Sequence, residues 1–245
     1  MSPRRRSLEA EARYVLDIDP SIASQISELT VATAKKLGLI AKPRVERRDT
    51  DCYYDDTRMS LRSRGLALRI RSGDDLEPTL ALKREHGHEE NLHVRSEFEG
   101  TLDHATILDL VSTLRESGLD LEFDECREIE DWQDVVAGLR LRPVAVLNQV
   151  RQKFAFVRDT EPHAELSLDR ICYLWPVASL GPTILEMECY SKLGTRFAAA
   201  LERRLAEKWP GLLTHTFLSK KEIGIGWQIP RRGCSNASEN PRARD

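Results

Sequence analysis

No apolar stretch of this chain approaches the roughly 20 residues needed to cross a bilayer, so no membrane partner is expected. The opening Met1-Ser2-Pro3-Arg4-Arg5-Arg6 is basic, but no apolar segment follows it, and no secretory leader is expected. The five cysteines, Cys52, Cys126, Cys172, Cys189 and Cys234, are scattered and form no CxxC pair. That pattern fits a reducing cytoplasm and excludes a disulfide framework and a zinc ribbon. Neither charge is in large excess. Lys+Arg is 37 and Asp+Glu is 40, a formal charge of −3, which argues against a general nucleic-acid binder. A Walker loop is missing, which excludes P-loop chemistry. Gly224-Ile225-Gly226 lacks the strand–helix context of a nucleotide motif. No tandem repeat of fixed period is present.

The chain does have enough apolar sequence for a core. It is 40% apolar over 245 residues, which allows one large domain or two small ones, while 31% charged is high. A first strand is expected over 8–17. A helix is expected over 20–38, with Pro20 at its start, Ile22, Ile26, Leu29 and Leu37 at helical spacing, and Gly38 at its end. Period-2 runs follow near 43–55, 65–72, 78–84 and 91–100, with turns at Gly73-Asp74-Asp75 and His86-Gly87-His88. A second helix is expected over 103–117. Strands near 145–157, 163–174 and 182–191 come next, and then a third helix over 195–208. Residues 1–7 and the Arg-, Ser-, Asn- and Pro-rich 229–245 are expected to be disordered. Many strands with few helices predict an α+β fold dominated by antiparallel sheet.

The strand faces are unusual. Alternate residues of a strand share a face, and these faces carry sorted charges. Glu9, Glu11 and Arg13 share one, and Arg69 and Arg71 another. His93, Arg95, Glu97 and Glu99 fall together, as do Gln149, Arg151 and Lys153. Glu165, Ser167 and Asp169 share a face, and so do Glu186 and Glu188; Lys83 is in phase with Thr79 and Ala81. Wet outer faces are the ordinary explanation for alternation on one strand. Like-charge pairs on many strands make sense if something neutralises them. Paired carboxylates suit hard cations, and paired basic groups suit phosphate oxygens. A closed sheet would put these faces inside a polar tunnel and leave the apolar faces to be covered by helices. His86 and His88 more simply belong to a solvated hairpin than to a metal site.

The ordered set of motifs resembles the CYTH family, the triphosphate tunnel metalloenzymes. Glu9-Ala10-Glu11-Ala12-Arg13 is similar to its opening Glu-x-Glu-x-Lys, with Arg13 in place of Lys. Tyr53-Tyr54-Asp55-Asp56-Thr57, then Leu66-Ala67-Leu68-Arg69-Ile70-Arg71, Leu80-Ala81-Leu82-Lys83 and Val94-Arg95-Ser96-Glu97 follow in the family's order. Arg151 and Lys153, then Glu165 to Asp169, Glu186-Met187-Glu188 and the closing Ser219-Lys220 complete it. The resemblance covers nearly the whole of a tunnel domain over 8–228.

That resemblance implies a closed eight-stranded antiparallel β-barrel with helices packed outside, and a triphosphate-containing small molecule or polyphosphate bound with Mg²⁺ or Mn²⁺. It implies metal contacts from Glu9, Glu11, Glu165, Asp169, Glu186 and Glu188. Phosphate contacts are implied for Arg13, Arg69, Arg71, Lys83, Arg95, Arg151, Lys153 and Lys220, with Glu11, Glu188, Arg69 and Arg71 as the catalytic set. The leading expectation is a metal-dependent tripolyphosphate hydrolase in the cytoplasm, as a monomer or homodimer. An adenylate cyclase, a thiamine triphosphatase and a non-catalytic polyphosphate- or nucleotide-binding module are the alternatives.

Overall fold

A computed structural model describes residues 5–16, 20–73, 76–89, 92–119 and 132–228. The chain begins with β1 (Arg5–Leu16) and α1 (Pro20–Lys36), followed by β2 (Ile40–Pro43) and β3 (Arg47–Asp55). A short α2 (Ser60–Ser63) leads to β4 (Leu66–Gly73), β5 (Leu76–Glu89) and β6 (Leu92–Thr101). Next are α3 (His104–Glu116), α4 (Trp132–Gly138) and the long strands β7 (Arg142–Arg158), β8 (Glu161–Trp175) and β9 (Ser179–Cys189). The described chain closes with α5 (Lys192–Lys208), β10 (Leu213–His215) and α6 (Lys220–Gln228).

The main sheet runs β1-β6-β5-β4-β3-β7-β8-β9, and β9 pairs back onto β1, so eight antiparallel strands close on themselves. β2 and β10 are additions, on β7 and β1 respectively. Closure removes the free sheet edges and gives the barrel an inside and an outside.

The outside is apolar, as the alternation predicts. On one flank Tyr14, Leu16, Phe156, Leu166, Leu185 and Met187 pack against Ile26 and Ala34 of α1 and Phe197, Leu201 and Leu205 of α5. On the other, Leu66, Leu68, Ile70, Leu80, Leu82 and Phe98 pack against Ile107, Leu110, Val111 and Leu114 of α3 and Val135 of α4. Each fully buried Leu or Phe here contributes about 1.5–3 kcal/mol over exposure. Local signals set the helix ends. Asp103 caps α3 by accepting from the Thr106 amide at 2.7 Å, and Ser191 caps α5 by accepting from Gly194 at 3.1 Å. Gly38, at φ +70, turns the chain after α1.

Four features differ from the expectations. β1 starts at Arg5, before residue 8. The described residues hold six helices rather than three, because α2, α4 and α6 are too short or too weakly periodic to stand out. The His86-Gly87-His88 segment lies inside β5, with a register shift between Glu85 and Gly87 against β6 rather than a hairpin turn, and His86 Nε2 is 2.9 Å from Ser96 Oγ. The barrel is also not polar throughout. At one end Tyr53, Leu147, Ile171, Tyr173 and Ile184 form an apolar cluster with Ile223 of α6. Gly224 makes that contact possible, since a Cβ there would lie 2.1 Å from the Tyr173 ring. Residues 1–4, 74–75 and 229–245, on which several expectations fall, lie outside the described residues.

Candidate functional site

The interior of the barrel holds a cavity of about 740 Å³. Its wall includes Arg13, Arg69, Arg71, Lys83, Arg95, Arg151, Lys153 and Lys220, together with Glu97, Glu165, Glu186 and Glu188. All eight basic candidates named from the sequence therefore meet at one place. The pairing register explains this: Glu11 lies opposite Glu188 and Arg13 opposite Glu186 on β1–β9, and Arg151 lies opposite Asp169 on β7–β8. Glu9 lies opposite Arg95 in the β1–β6 register, and its side chain is outside the described ones.

The deepest part is an ion-pair network. Arg13 donates from Nε to Glu186 at 2.6 Å, from Nη1 to the Leu218 carbonyl at 2.6 Å, and from Nη2 to Glu11. Arg95 is also paired with Glu11. Arg151 grips Asp169 through Nε and Nη2, both at 2.8 Å, and reaches Glu186 at 3.1 Å. Lys220 donates to Asp169 and, at 2.6 Å, to Glu186. Ser219 positions Lys220 by capping α6: its amide donates to Glu222 at 2.9 Å, and the Glu222 amide donates back to Ser219 Oγ at 3.2 Å. Nearer the open space, Lys83 pairs with Glu97 at 3.0 Å, and Lys153 pairs with Glu165. The Tyr190 hydroxyl donates to Glu188 at 2.9 Å.

Burial alone would raise the Glu186 and Asp169 carboxyls. Lys220, Arg13 and Arg151 hold Glu186 well below the usual range, and Arg151 and Lys220 hold Asp169 below it. Glu188 is also lowered against its burial, by Lys83 and Lys153. Burial, with Arg151 beside it, brings Lys220 down to about 8 despite Asp169 and Glu186.

A second set of acids was missed by the sequence reading. Asp49 and Asp51 of β3 are buried behind Arg69 and Arg71. Arg71 donates to Asp51 at 2.6 and 2.8 Å, and Arg69 Nη1 lies 3.5 Å from it. The signal was available: Asp49, Asp51 and Tyr53 alternate on one expected strand, in the same pattern as the acidic pairs of β1 and β9. Asp55, in the Tyr-Asp-Thr motif, is structural. Its carboxylate accepts from the amides of Leu61 and Arg62 and fixes the start of α2.

The CYTH domain model matches residues 21–206, about three quarters of the sequence. The chain belongs to the CYTH family. The matched span omits β1, which closes the barrel and carries Glu11 and Arg13, and α6, which carries Lys220. Among solved structures, HpAC1 of Hippeastrum, a protein with a dominant triphosphatase activity, superposes with a TM-score of 0.56 at 21% identity, covering 90% of this chain and 97% of that one. A protein of Pyrococcus horikoshii OT3 superposes at 0.50 with 13% identity, covering 90% and 99%. At these identities the likeness is one of fold. No curated protein sequence matches the chain.

A hard divalent cation takes oxygen ligands, and its fit can be judged from the carboxylates. Glu11, Glu188 and Glu165 form one cross-strand row over β1, β9 and β8. Glu188 and Glu165 line the cavity, while buried Glu11 is paired through Oε1 with Arg13 and through Oε2 with Arg95, and Glu165 is paired with Lys153 and, at 3.4 Å, with Arg44. In donor chemistry this row fits such a cation. Glu186 and Asp169 are each already held by Arg151 and Lys220. Among the described residues no three acidic, His or Cys groups converge on a common point.

Proposed function

We propose that this CYTH barrel is a metal-dependent triphosphatase, with inorganic tripolyphosphate as its leading substrate and Mg²⁺ or Mn²⁺ as its cation. The observation that carries this reading is the convergence of eight Arg and Lys side chains on one enclosed cavity beside a row of three glutamates. A simple anion-binding site would gain nothing from carboxylates aimed at the same space, because they repel the ligand. Arg69 supports a phosphate ligand further, since it lines the cavity while its own carboxylate contacts are long, 3.5 Å to Asp51 and 3.7 Å to Glu97.

On this reading Arg69, Lys83, Arg95 and Lys153 contact phosphate oxygens and neutralise charge on the transferred phosphoryl and the leaving group. Arg13, Arg71, Arg151 and Lys220 reach the same cavity while already donating to Glu186 and Glu11, to Asp51, to Asp169, and to Asp169 and Glu186 respectively, and add charge more than direct bonds. Glu188, with Glu11 and Glu165 beside it, would hold the cation, which when bound supplies charge neutralisation and a more acidic water. Glu188 or Glu11 orients the attacking water, and Tyr190 fixes Glu188 through its hydroxyl. The test is phosphate release from tripolyphosphate, thiamine triphosphate, ATP and pyrophosphate, each with Mg²⁺ and with Mn²⁺. Tripolyphosphate should be cleaved fastest and EDTA should abolish release. No release from any of the four with metal present would leave a binding module.

A further inference from the structure

The geometry points to Asp51 as a positioning residue that limits how tightly the β4 arginines grip phosphate. This rests on the reading of the cavity as a triphosphate site. β4 places Arg69 and Arg71 two residues apart on one face, both buried. Two cations at that spacing repel each other, and burial removes the water that would screen them. Asp51 is the cross-strand partner of Arg71, is fully buried, and is not part of the cavity wall. Its Oδ1 accepts from Arg71 Nε at 2.6 Å and its Oδ2 from Arg71 Nη2 at 2.8 Å. Gln149 of β7 donates to that Oδ2 at 3.2 Å, and Arg69 Nη1 is 3.5 Å away. One carboxylate thus serves two guanidinium groups from behind. Asp49 adds a second charge: its Oδ1 accepts from Arg47 at 3.2 Å, and its Oδ2 lies 3.7 Å from Arg71 Nε and accepts no hydrogen bond.

Two consequences follow for a phosphate in the cavity. The Nε–Nη2 edge of Arg71, the fork that would grip a phosphate through two bonds, is spent on Asp51. Arg69 also lines the cavity but is held more loosely, with Nη1 3.5 Å from Asp51 and Nη2 3.7 Å from Glu97, and is the freer member of the pair for phosphate. The wall also attracts anions less than two bare arginines would. That matters for turnover, because pyrophosphate and phosphate leave through the same charged wall that draws the substrate in.

The test is calorimetric binding of tripolyphosphate and of pyrophosphate, without metal and in EDTA, at neutral pH and fixed ionic strength. Wild type is compared with Asp51→Asn, Asp51→Glu and Asp49→Asn. Asp51→Asn should bind both anions on the order of tenfold tighter, melt at a lower temperature when free, and gain more melting temperature from tripolyphosphate than wild type does. Asp51→Glu, which keeps the charge, should stay near wild type. Asp49→Asn, which removes the more distant charge, should tighten binding about threefold and keeps the idea testable if Asp51→Asn does not fold. A lower melting temperature with unchanged or weaker anion binding would make Asp51 purely structural and overturn the inference, as would unchanged binding by Asp49→Asn. If wild type binds and the variants bind no tighter, only this inference falls. If no protein in the series binds tripolyphosphate either in EDTA or with Mg²⁺ added, the triphosphate reading fails and takes this inference with it.

Discussion

On the β8–β9–β1 side of the barrel, carboxylates dominate the charged interior positions, and their cations arrive from several elements: Arg13 on β1 itself, Arg95 from β6, Arg151 from β7 and Lys220 from α6. On the β4 side the arrangement is inverted. Arginines occupy the interior positions, and the counter-charge is local, from Asp49 and Asp51 of the adjacent β3. The acidic wall is a net that ties five strands and a helix together. The basic wall is a pair of neighbouring strands with a carboxylate behind it. The contrast suggests a division of labour, in which the acidic wall serves the cation and the chemistry and the basic wall serves grip and release of phosphate.

The largest expected effect tests the acidic wall. Glu188→Gln removes a charge but not a shape, and should lower tripolyphosphate hydrolysis by roughly 10²–10³-fold while circular dichroism and melting stay near wild type. Full activity would place the cation on the other wall. The two arginines of β4 sharpen the contrast next. Arg69→Ala should cost about 100-fold in kcat/KM, because Arg69 lines the cavity and is only loosely held by Asp51 and Glu97. Arg71→Ala should cost less in kcat/KM but about 3 kcal/mol in stability, because it leaves Asp51 buried and under-neutralised. Denaturant melts and steady-state kinetics on the pair check this, and the reverse order would undo the assignment.

A third test uses acid. Burial would raise Asp51, but Arg69 and Arg71 outweigh it and hold the carboxyl below the usual range. A carboxyl depressed in the folded state adds stability above its unfolded value and loses it as pH falls through the folded value. Wild type should therefore exceed Asp51→Asn by about 2–3 kcal/mol near neutrality, and the gap should narrow below about pH 4. A gap that stays constant down to pH 2 would mean that packing, not charge, is lost. The smallest effect concerns Lys220, brought down to about 8 by burial and Arg151. Between that value and the ordinary lysine value near 10, the unfolded chain binds more protons, so deprotonation of Lys220 raises stability with pH while removing a cation from the cavity. Tripolyphosphate affinity should fall by up to about tenfold per pH unit above pH 8. Lys220→Arg should flatten that limb, and an unchanged profile in the variant would assign it to another group.

Much of the site was legible because strands keep a strict period of two. Once Glu186 and Glu188 share a face, so do Arg69 and Arg71, and the sign of each face can be read without coordinates. Asp49 and Asp51 follow the same rule and were missed only because that strand was read for its Tyr-Asp-Thr motif rather than for its faces. The apolar end of the barrel was not legible in the same way. Leu147, Ile171 and Ile184 continue interior faces that are charged a few residues away, and α6 is nine residues long with a glycine at the contact. A face that changes character part-way along a strand has no single periodic signature.

The sequence by itself determined the polarity of most barrel strands, the covering of the outer face by helices, and most of the charged residues that turn inward, because alternation and amphipathic spacing are local properties of the chain. Only the tertiary structure decided which charges meet. The closing β9–β1 pair sets Glu11 beside Glu188 and Arg13 beside Glu186, across more than 170 positions of sequence. It also decided that Lys220 reaches Asp169 and Glu186 from a helix, and that Asp51 stands behind the arginines rather than in the cavity. Register and closure are long-range choices among many that local pattern permits, and it is the opposite charges they bring alongside that let these buried like-charged pairs persist.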